Sequence, residues 1–567
     1  MTFFFTSVSL ASKVVNLFSR EKYYDKAAAK KKATRDLIPE KWRLPADLYP
    51  TDPMANVLDI PRTCGILTEK EQDITENYTA AEMLVKLSSG EFTSVEVTTA
   101  FCKRAAIATQ LTDCCTELMF DLALARAKEC DDYLAETGKV LGPLHGLPIS
   151  IKDSFHVPGF DSTIGYVSFI GNKSLFDDYS ALCKLLLAQG AVFYVKTNIP
   201  QTLMAGESVN NVWGRTLNPN NIGLCAGGSS GGEGALSKMR GSILGVGTDI
   251  GGSIRIPALC NGVYGFRPTI GRVPYGGQQS PSTTLSGRPD GTLCGLTAVA
   301  GPLTNDCDDM KVFFKAVIEG QPWKYDGTAK CVPFDRSFDS WTGKEKLKIG
   351  VVLEDKAIPI HPNIKKTILE SAAKLKAAGH EVIIFDESPD IWRGWQISSS
   401  LFRYDGNYSM SYNIISSGEP PIQEISTFHF PPNKLPDLVS LTRAKAKLVL
   451  EWRNFFTNQN LDVLMCAAAP CSAPVHGDFL DAPYTTIWNM CDFPSVVMPV
   501  GKPLAADDDF SEYPITKDPS VKTFEHCVAP WKPDQMVGGI PHVQFVARDF
   551  EDEKLLACCS ILDKVLH

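Results

Sequence analysis

The chain has 567 residues, 44% of them hydrophobic and 21% charged, with a formal net charge of -9. This is the balance of a globular protein with a large core, and its acidity excludes a nucleic-acid binder, which needs a basic face. Seventeen cysteines without a CxxC, and nine histidines without HExxH or HxH, point away from a disulfide framework, a zinc ribbon or a dedicated metal site.

In chain order, the opening "MTFFFTSVSLASKVVNLFSR" is apolar but broken by Thr and Ser and lacks a basic n-region. It reads as part of an irregular, partly helical extension over residues 1–75, not as a signal peptide. No run approaches the roughly 20 apolar residues of a membrane-spanning helix, so a cytoplasmic protein is expected. The basic run "KAAAKKKATR" (26–35) is expected to be a solvated helix face or a mobile arm.

From residue 76 to 560 the pattern is that of one globular body. Thr79 with Glu82, and Thr93 with Glu96, form capping boxes that open two helices. "ELMFDLALARAKECDDYLAETG" is a further helix stopped at a glycine. "LPISIKDSF" (147–155) is a strand running into a polar turn. "YSALCKLLLAQGAVFYVKTNIP" alternates helix, glycine stop and strand, and so does "HPNIKKTILESAAKLKAAGHEVIIFD" after the strand "LKIGVV". "HVQFVARDFEDEKLLACCSILDKVL" closes the chain as strand and helix. Strands separated by helices of this length predict an α/β fold, a single large domain with a central mixed, mainly parallel β-sheet covered by helices on both faces. Residues from about 325 to 475 are weakly patterned and rich in aromatics, and are expected to form a substrate-facing insertion.

Two glycine-serine stretches stand apart, "CAGGSSGGEG" (225–234) and "DIGGSIRIP" (249–257). A linker would lack the apolar, helix-like and strand-like sequence between them. A phosphate loop would need GxxxxGK[ST] or GxGxxG. G-x-S-x-G does occur around Ser230 and Ser229, but a nucleophile elbow needs a preceding strand and a downstream histidine, for which His476, His526 and His542 are the candidates. An acyl-transfer site uses what is present. With glycine at 251 and 252, the N–H groups of Ile250, Gly251, Gly252 and Ser253 can converge on one oxygen, and Ser253 starts a predicted helix, "SIRIPALC". The base is then a lysine that burial keeps neutral, and Lys152, at the end of the strand "LPISI", stands where α/β sheets place such groups.

The segment "GGSSGGEGALSKMRGSILGVGTDIGGSIRIPALCNGVYGFRPT", with "LHGLPISIKDSF" upstream, resembles the amidase signature family, most closely fungal acetamidases and general amidases. The resemblance runs from about residue 75 to 320 and returns in "VQFVARDFEDEKLLACCSILD". It implies a Ser–Ser–Lys triad: Ser253 the acylated nucleophile, Ser229 the bridging serine after a cis peptide, and Lys152 the neutral base. Ser230, Asp249 and Arg255 match positions that order the loop. Leu203 matches a position whose backbone contacts substrate, although "QTLM" departs from the family's methionine. The implied activity is hydrolysis of small aliphatic or aryl carboxamides without metal or organic cofactor. Alternatives are a fatty-acid amide hydrolase-like enzyme and a glutamine-amidotransferase subunit. The expected partner is a small-molecule amide; no nucleic acid and no integral membrane segment are implied, and the chain is compatible with a homodimer.

Overall fold

The computed structural model describes residues 2–567 except 176, 282–294, 342, 344, 403–406, 429–433 and 517–527. Two strand–helix–strand units frame it. In the first, β2 (Pro148–Lys152) leads through the helix Ala181–Ala188 to β3 (Val192–Thr197); the second joins β9 (Lys348–Val352) through the helix Pro362–Ala377 to β10 (Glu381–Phe385). The remaining strands are β1 (Cys115–Leu118), β4 (Val209–Asn210), β5 (Gly214–Arg215), β6 (Leu244–Asp249), β7 (Tyr264–Arg267), β8 (Val299–Thr304), β11 (Val463–Cys466), β12 (Ser495–Pro499) and β13 (His542–Val546). β4 and β5 pair only with each other; the rest form one 11-stranded sheet in the order β1-β3-β2-β6-β8-β7-β12-β13-β11-β9-β10.

The sheet is mixed, as expected, but not mainly parallel. β2 runs parallel to β3 and β6, and β9 to β10 and β11; every other pairing in the sheet is antiparallel. Helix–strand alternation along the chain reports the crossover units. It carries no information on the direction in which a distant strand such as β12 or β13 enters the middle of the sheet. Every residue of β2, β3 and β6 is buried, because helices cover both faces.

Both expected capping boxes form, Thr79 with Glu82 and Thr93 with Glu96. The first 75 residues are mostly helical and lie against the body. The helix Thr2–Phe18 sets Val8 into a cluster with Ile414, Ile422 and Leu203. The basic run is a solvated face only in part: Lys32 is exposed, and the other side docks on the body. It lies in the helix Tyr23–Arg35, where Lys30 pairs with Glu117 at 2.5 Å and Asp161 at 2.8 Å. Lys31 and Arg35 meet Asp113 at 3.0 and 3.2 Å. Residues 325–475 are not one insertion, since they supply β9, β10 and β11. Of this stretch, the helix Ile391–Leu401 and the residue after it carry Trp395 and Phe402 to a cavity described below. Fifteen cysteines are free, all but Cys64 and Cys331 buried; Cys294 and Cys527 lie outside the described residues. Among the described residues no helix is long and apolar enough to cross a membrane.

Candidate active site

β2 and β6 lie side by side in parallel, so their carboxyl ends open on the same edge of the sheet. Lys152 ends β2, and Thr248 and Asp249 end β6. The Lys152 Nζ lies 2.7 Å from Ser229 Oγ and 2.8 Å from Thr248 Oγ1. Burial drives its pKa down to about 7, against the opposing pull of Asp249, Glu233 and Asp153. A lone ammonium is expensive to desolvate, so a fully buried lysine moves toward the neutral amine.

Ser229 follows a cis peptide from Gly228 and stands two residues before the helix Gly231–Lys238. A Cβ on Gly228 would lie 2.4 Å from the Ala205 carbonyl oxygen, so that loop passes too close for any side chain. Ser230 is fully buried and lines neither of the cavities described below. Its N–H donates to the Ser253 carbonyl at 3.1 Å, and its hydroxyl accepts from the Thr248 N–H at 3.3 Å. It ties the two glycine-serine loops to β6.

The second loop is held from below by Asp249. The carboxylate accepts from the N–H of Gly252 at 2.8 Å and of Ile254 at 3.2 Å. Arg255 reaches it with Nε and Nη2, both at 3.0 Å, and Asn489 with Nδ2 at 2.8 Å. Burial alone would raise this carboxyl, but the Arg255 guanidinium holds it well below the usual carboxylate range. The same guanidinium donates to the Thr485 carbonyl and to Gln544 Oε1, each at 2.9 Å. From the other side, the hydroxyls of Thr485 and Thr486 donate to the Gly251 carbonyl at 2.7 and 2.8 Å. Gly252 has a φ of +132°, and a Cβ there would meet Thr485 Oγ1 at 2.3 Å, so only glycine fits.

Two features of this loop differ from the sequence reading. The Gly252 N–H is committed to Asp249, which leaves Ile250, Gly251 and Ser253 as the N–H groups still available to a bound oxygen. The following helix spans Arg255–Asn261, so Ser253 precedes it by two residues and does not start it.

Two cavities meet over Ser253. One, of about 450 Å³, runs from Ile250, Gly251 and Ser253 to the rings of Trp395, Phe402 and Phe479. The other, of about 480 Å³, is lined by Ser229, Thr248 and Ser253 together with Tyr275, Gln278 and Gln279. Leu203, Met204, Ile250 and Ser253 border both. Leu203 and the preceding Thr202 have φ values of +63° and +75°, a left-handed backbone that side chains rarely adopt and that concentrates at functional sites.

The histidines stand elsewhere, and none lines either cavity among the described residues. His476 is held by Glu207 at 2.6 Å and the Ile222 carbonyl at 2.8 Å. His542 is fully buried in β13, pushed down to about 3 by burial, and accepts from the Ala468 N–H at 3.2 Å. His526 lies outside the described residues. A histidine-assisted elbow at Ser230 therefore has no partner at hand among His476 and His542.

Sequence reasoning missed Thr248, the pins at Thr485, Thr486, Asn489 and Gln544, and the aromatic wall of Trp395, Phe402 and Phe479. Thr248 was within reach: it sits beside Asp249 at the end of a strand whose neighbour ends in Lys152. The others arrive from segments more than a hundred residues away and carry no local signal.

The family model described as Amidase matches residues 96–556. The chain is 39% identical to an amidase of Gibberella moniliformis, over 94% of this chain and 97% of that protein. It is 38% identical to an acetamidase of Emericella nidulans, over 95% and 97%. Among solved structures it resembles a fatty acid amide hydrolase, with a TM-score of 0.86 and 31% identity over 95% of this chain and 94% of that one. With Lys152, Ser229 and Ser253 gathered at the ends of β2 and β6, and with these relatives matched along nearly their whole length, the chain belongs to the amidase family, hydrolases that act on amide C–N bonds.

Proposed function

We propose that the protein hydrolyses small aliphatic or aryl carboxamides to a carboxylate and ammonia through an acyl-enzyme on Ser253. The observation that carries this reading is a fully buried Lys152, with its pKa lowered to about 7, 2.7 Å from the hydroxyl of Ser229, while Ser229 and Ser253 open on one cavity. The neutral amine accepts a proton from Ser229 Oγ as Ser229 takes the proton of Ser253 Oγ. Ser253 Oγ then bonds to the amide carbon, and the N–H groups of Ile250, Gly251 and Ser253 receive the oxyanion. The proton returns through Ser229 to the amide nitrogen, which leaves as ammonia. Water attacks the ester with Lys152 again as base, and the carboxylate departs.

Of the two cavities Ser229 lines only the one it shares with Thr248 and Tyr275, so the nitrogen that it protonates belongs there and the acyl group belongs against Trp395, Phe402 and Phe479. That aromatic wall supports acyl groups larger than acetyl. The acetamidase relative supports primary amides, and the fatty acid amide hydrolase supports extension of the acyl chain.

The test is ammonia release by the purified single chain from acetamide, hexanamide, benzamide, indole-3-acetamide and a long-chain amide. Hexanamide or benzamide is expected to exceed acetamide in kcat/KM. Phe402→Ala is expected to lower kcat/KM for the larger amides about tenfold, the effect of about 1.4 kcal/mol of lost apolar contact, with less effect on acetamide. No release from any amide without a partner protein would favour an amidotransferase subunit.

A further inference from the structure

Three carboxylates surround Lys152: Asp249, Glu233 and Asp153. Two of them have cations of their own. Asp249 is claimed by Arg255. Asp153 has Lys196 at 3.9 Å and accepts from the Ile164 N–H at 2.7 Å and from the Thr116 and Thr163 hydroxyls at 2.8 and 3.2 Å. Glu233 is different. It is fully buried, and among the described residues its oxygens accept only from Ser150 Oγ at 2.5 Å and Thr197 Oγ1 at 2.8 Å.

Those two hydroxyls flank the lysine. Ser150 and Lys152 are alternate residues of β2 and so share a face, and Thr197 is the register partner of Lys152 on β3. Tyr194 on β3 also interacts with Glu233 and hydrogen-bonds Ser242, and burial keeps its hydroxyl protonated. Ser150 Oγ also lies 2.7 Å from Ser242 Oγ. Ser242 lines a separate polar cavity of about 550 Å³ with Thr75, Asn77, Arg240 and Asn305. Ser242 precedes β6, whereas the serines of the active site lie beyond its other end. A chain of hydroxyls thus joins the buried carboxyl to a cavity behind the active site.

We propose that Glu233 is a positioning residue that governs whether Lys152 carries its proton, exchanging its own proton with the rear cavity through Ser150 and Ser242. This rests on the Ser–Ser–Lys reading above. While Glu233 is ionised, its field favours the ammonium form of Lys152. A proton from solvent enters at Ser242 Oγ, each hydroxyl passes its own proton on, and Glu233 Oε2 receives one from Ser150. The carboxyl is then neutral and its share of the field on Lys152 is lost, while those of Asp249 and Asp153 remain; the ammonium more readily gives up a proton through the Ser229 hydroxyl to the active-site cavity, which leaves a neutral amine to accept from Ser229.

The test is the pH dependence of the rate at which a fluorophosphonate labels Ser253. In Glu233→Gln, which keeps an acceptor and fills the same space, the acid-side midpoint is expected to fall by about 0.5–1 pH unit, with the plateau rate within about threefold of the parent. Ser150→Ala removes one donor to the carboxylate, favours its neutral form, and is expected to move the midpoint in the same direction by less; it decides the matter if Glu233→Gln does not fold. A lowered plateau with an unmoved midpoint in the folded variants would make Glu233 a packing residue only and overturn the proposal, as would a shift to higher pH. Parent-like labelling in Lys152→Met would instead overturn the underlying triad reading.

Discussion

Lys152 places an amine where a charge is hard to keep. It is fully buried, and its pKa is lowered to about 7 because burial outweighs the carboxylates nearby. Two consequences follow with definite signs. If only the neutral amine works, kcat/KM rises with pH through about 7. In the unfolded chain the lysine titrates near 10.4, so between the two values the unfolded state binds more protons and stability increases with pH. Lys152→Met removes the amine and keeps an apolar stem. It is expected to abolish turnover yet raise stability at pH 7 by about 1–2 kcal/mol, and that gain is expected to shrink as pH rises toward 10. Urea unfolding of both proteins at pH 7 and pH 9.5 checks this; a less stable Met variant at pH 7 would mean that the buried amine is not under desolvation strain.

At this scale the sequence was informative where chemistry is local. Ser229, Ser253 and Lys152 could be singled out because two glycine-serine stretches and a strand-end lysine match the family's signature, and the structure brings Lys152 to Ser229 and sets Ser229 and Ser253 on one cavity. Gly252 shows the limit: its N–H looked available in "DIGGSIR", yet the side chain of Asp249, three residues earlier, takes it. A loop sequence specifies which donors exist, but not which of them a neighbouring carboxylate has already claimed.

Among the elements, the N-terminal helix Tyr23–Arg35 was misread for a related reason. Lysines spaced along a helix ordinarily face water, and nothing nearby in sequence shows that Glu117 and Asp161 wait for Lys30. Burial pushes the Glu117 carboxyl up to about 7 even with Lys30 beside it. Lys30→Met leaves two carboxylates without their cation and is expected to cost about 3–5 kcal/mol at pH 8. The loss is expected to be smaller at pH 5.5, because a carboxyl whose folded pKa is raised gains stability as it protonates below that value. Denaturant unfolding at the two pH values measures both; an equal loss at each pH would show that the ion pair is not what anchors this helix. The capping boxes at Thr79 and Thr93, by contrast, were legible, since each is completed within four residues.

At the scale of the molecule, the sheet order is what the sequence could not supply. β2 and β6 become neighbours although Lys152 and Ser253 are about a hundred residues apart, and β12 and β13 enter antiparallel between the two crossover units. That arrangement lets Arg255 join Asp249 at the end of β6 to Gln544 on β13 and to the helix Pro483–Cys491. The loop that carries Ser253 is therefore braced by two distant parts of the chain, and no periodicity announces such a brace. The proposed function requires that Ser253, activated through Ser229 by a neutral Lys152, forms the covalent intermediate. The most direct measurement is mass spectrometry of the site labelled by a fluorophosphonate in the parent, in Lys152→Met and in His476→Ala. Label is expected on Ser253 in the parent and in His476→Ala, with near-complete loss of it in Lys152→Met. Label on Ser230, or loss of label in His476→Ala with retention in Lys152→Met, would contradict it and make the protein a serine–histidine hydrolase.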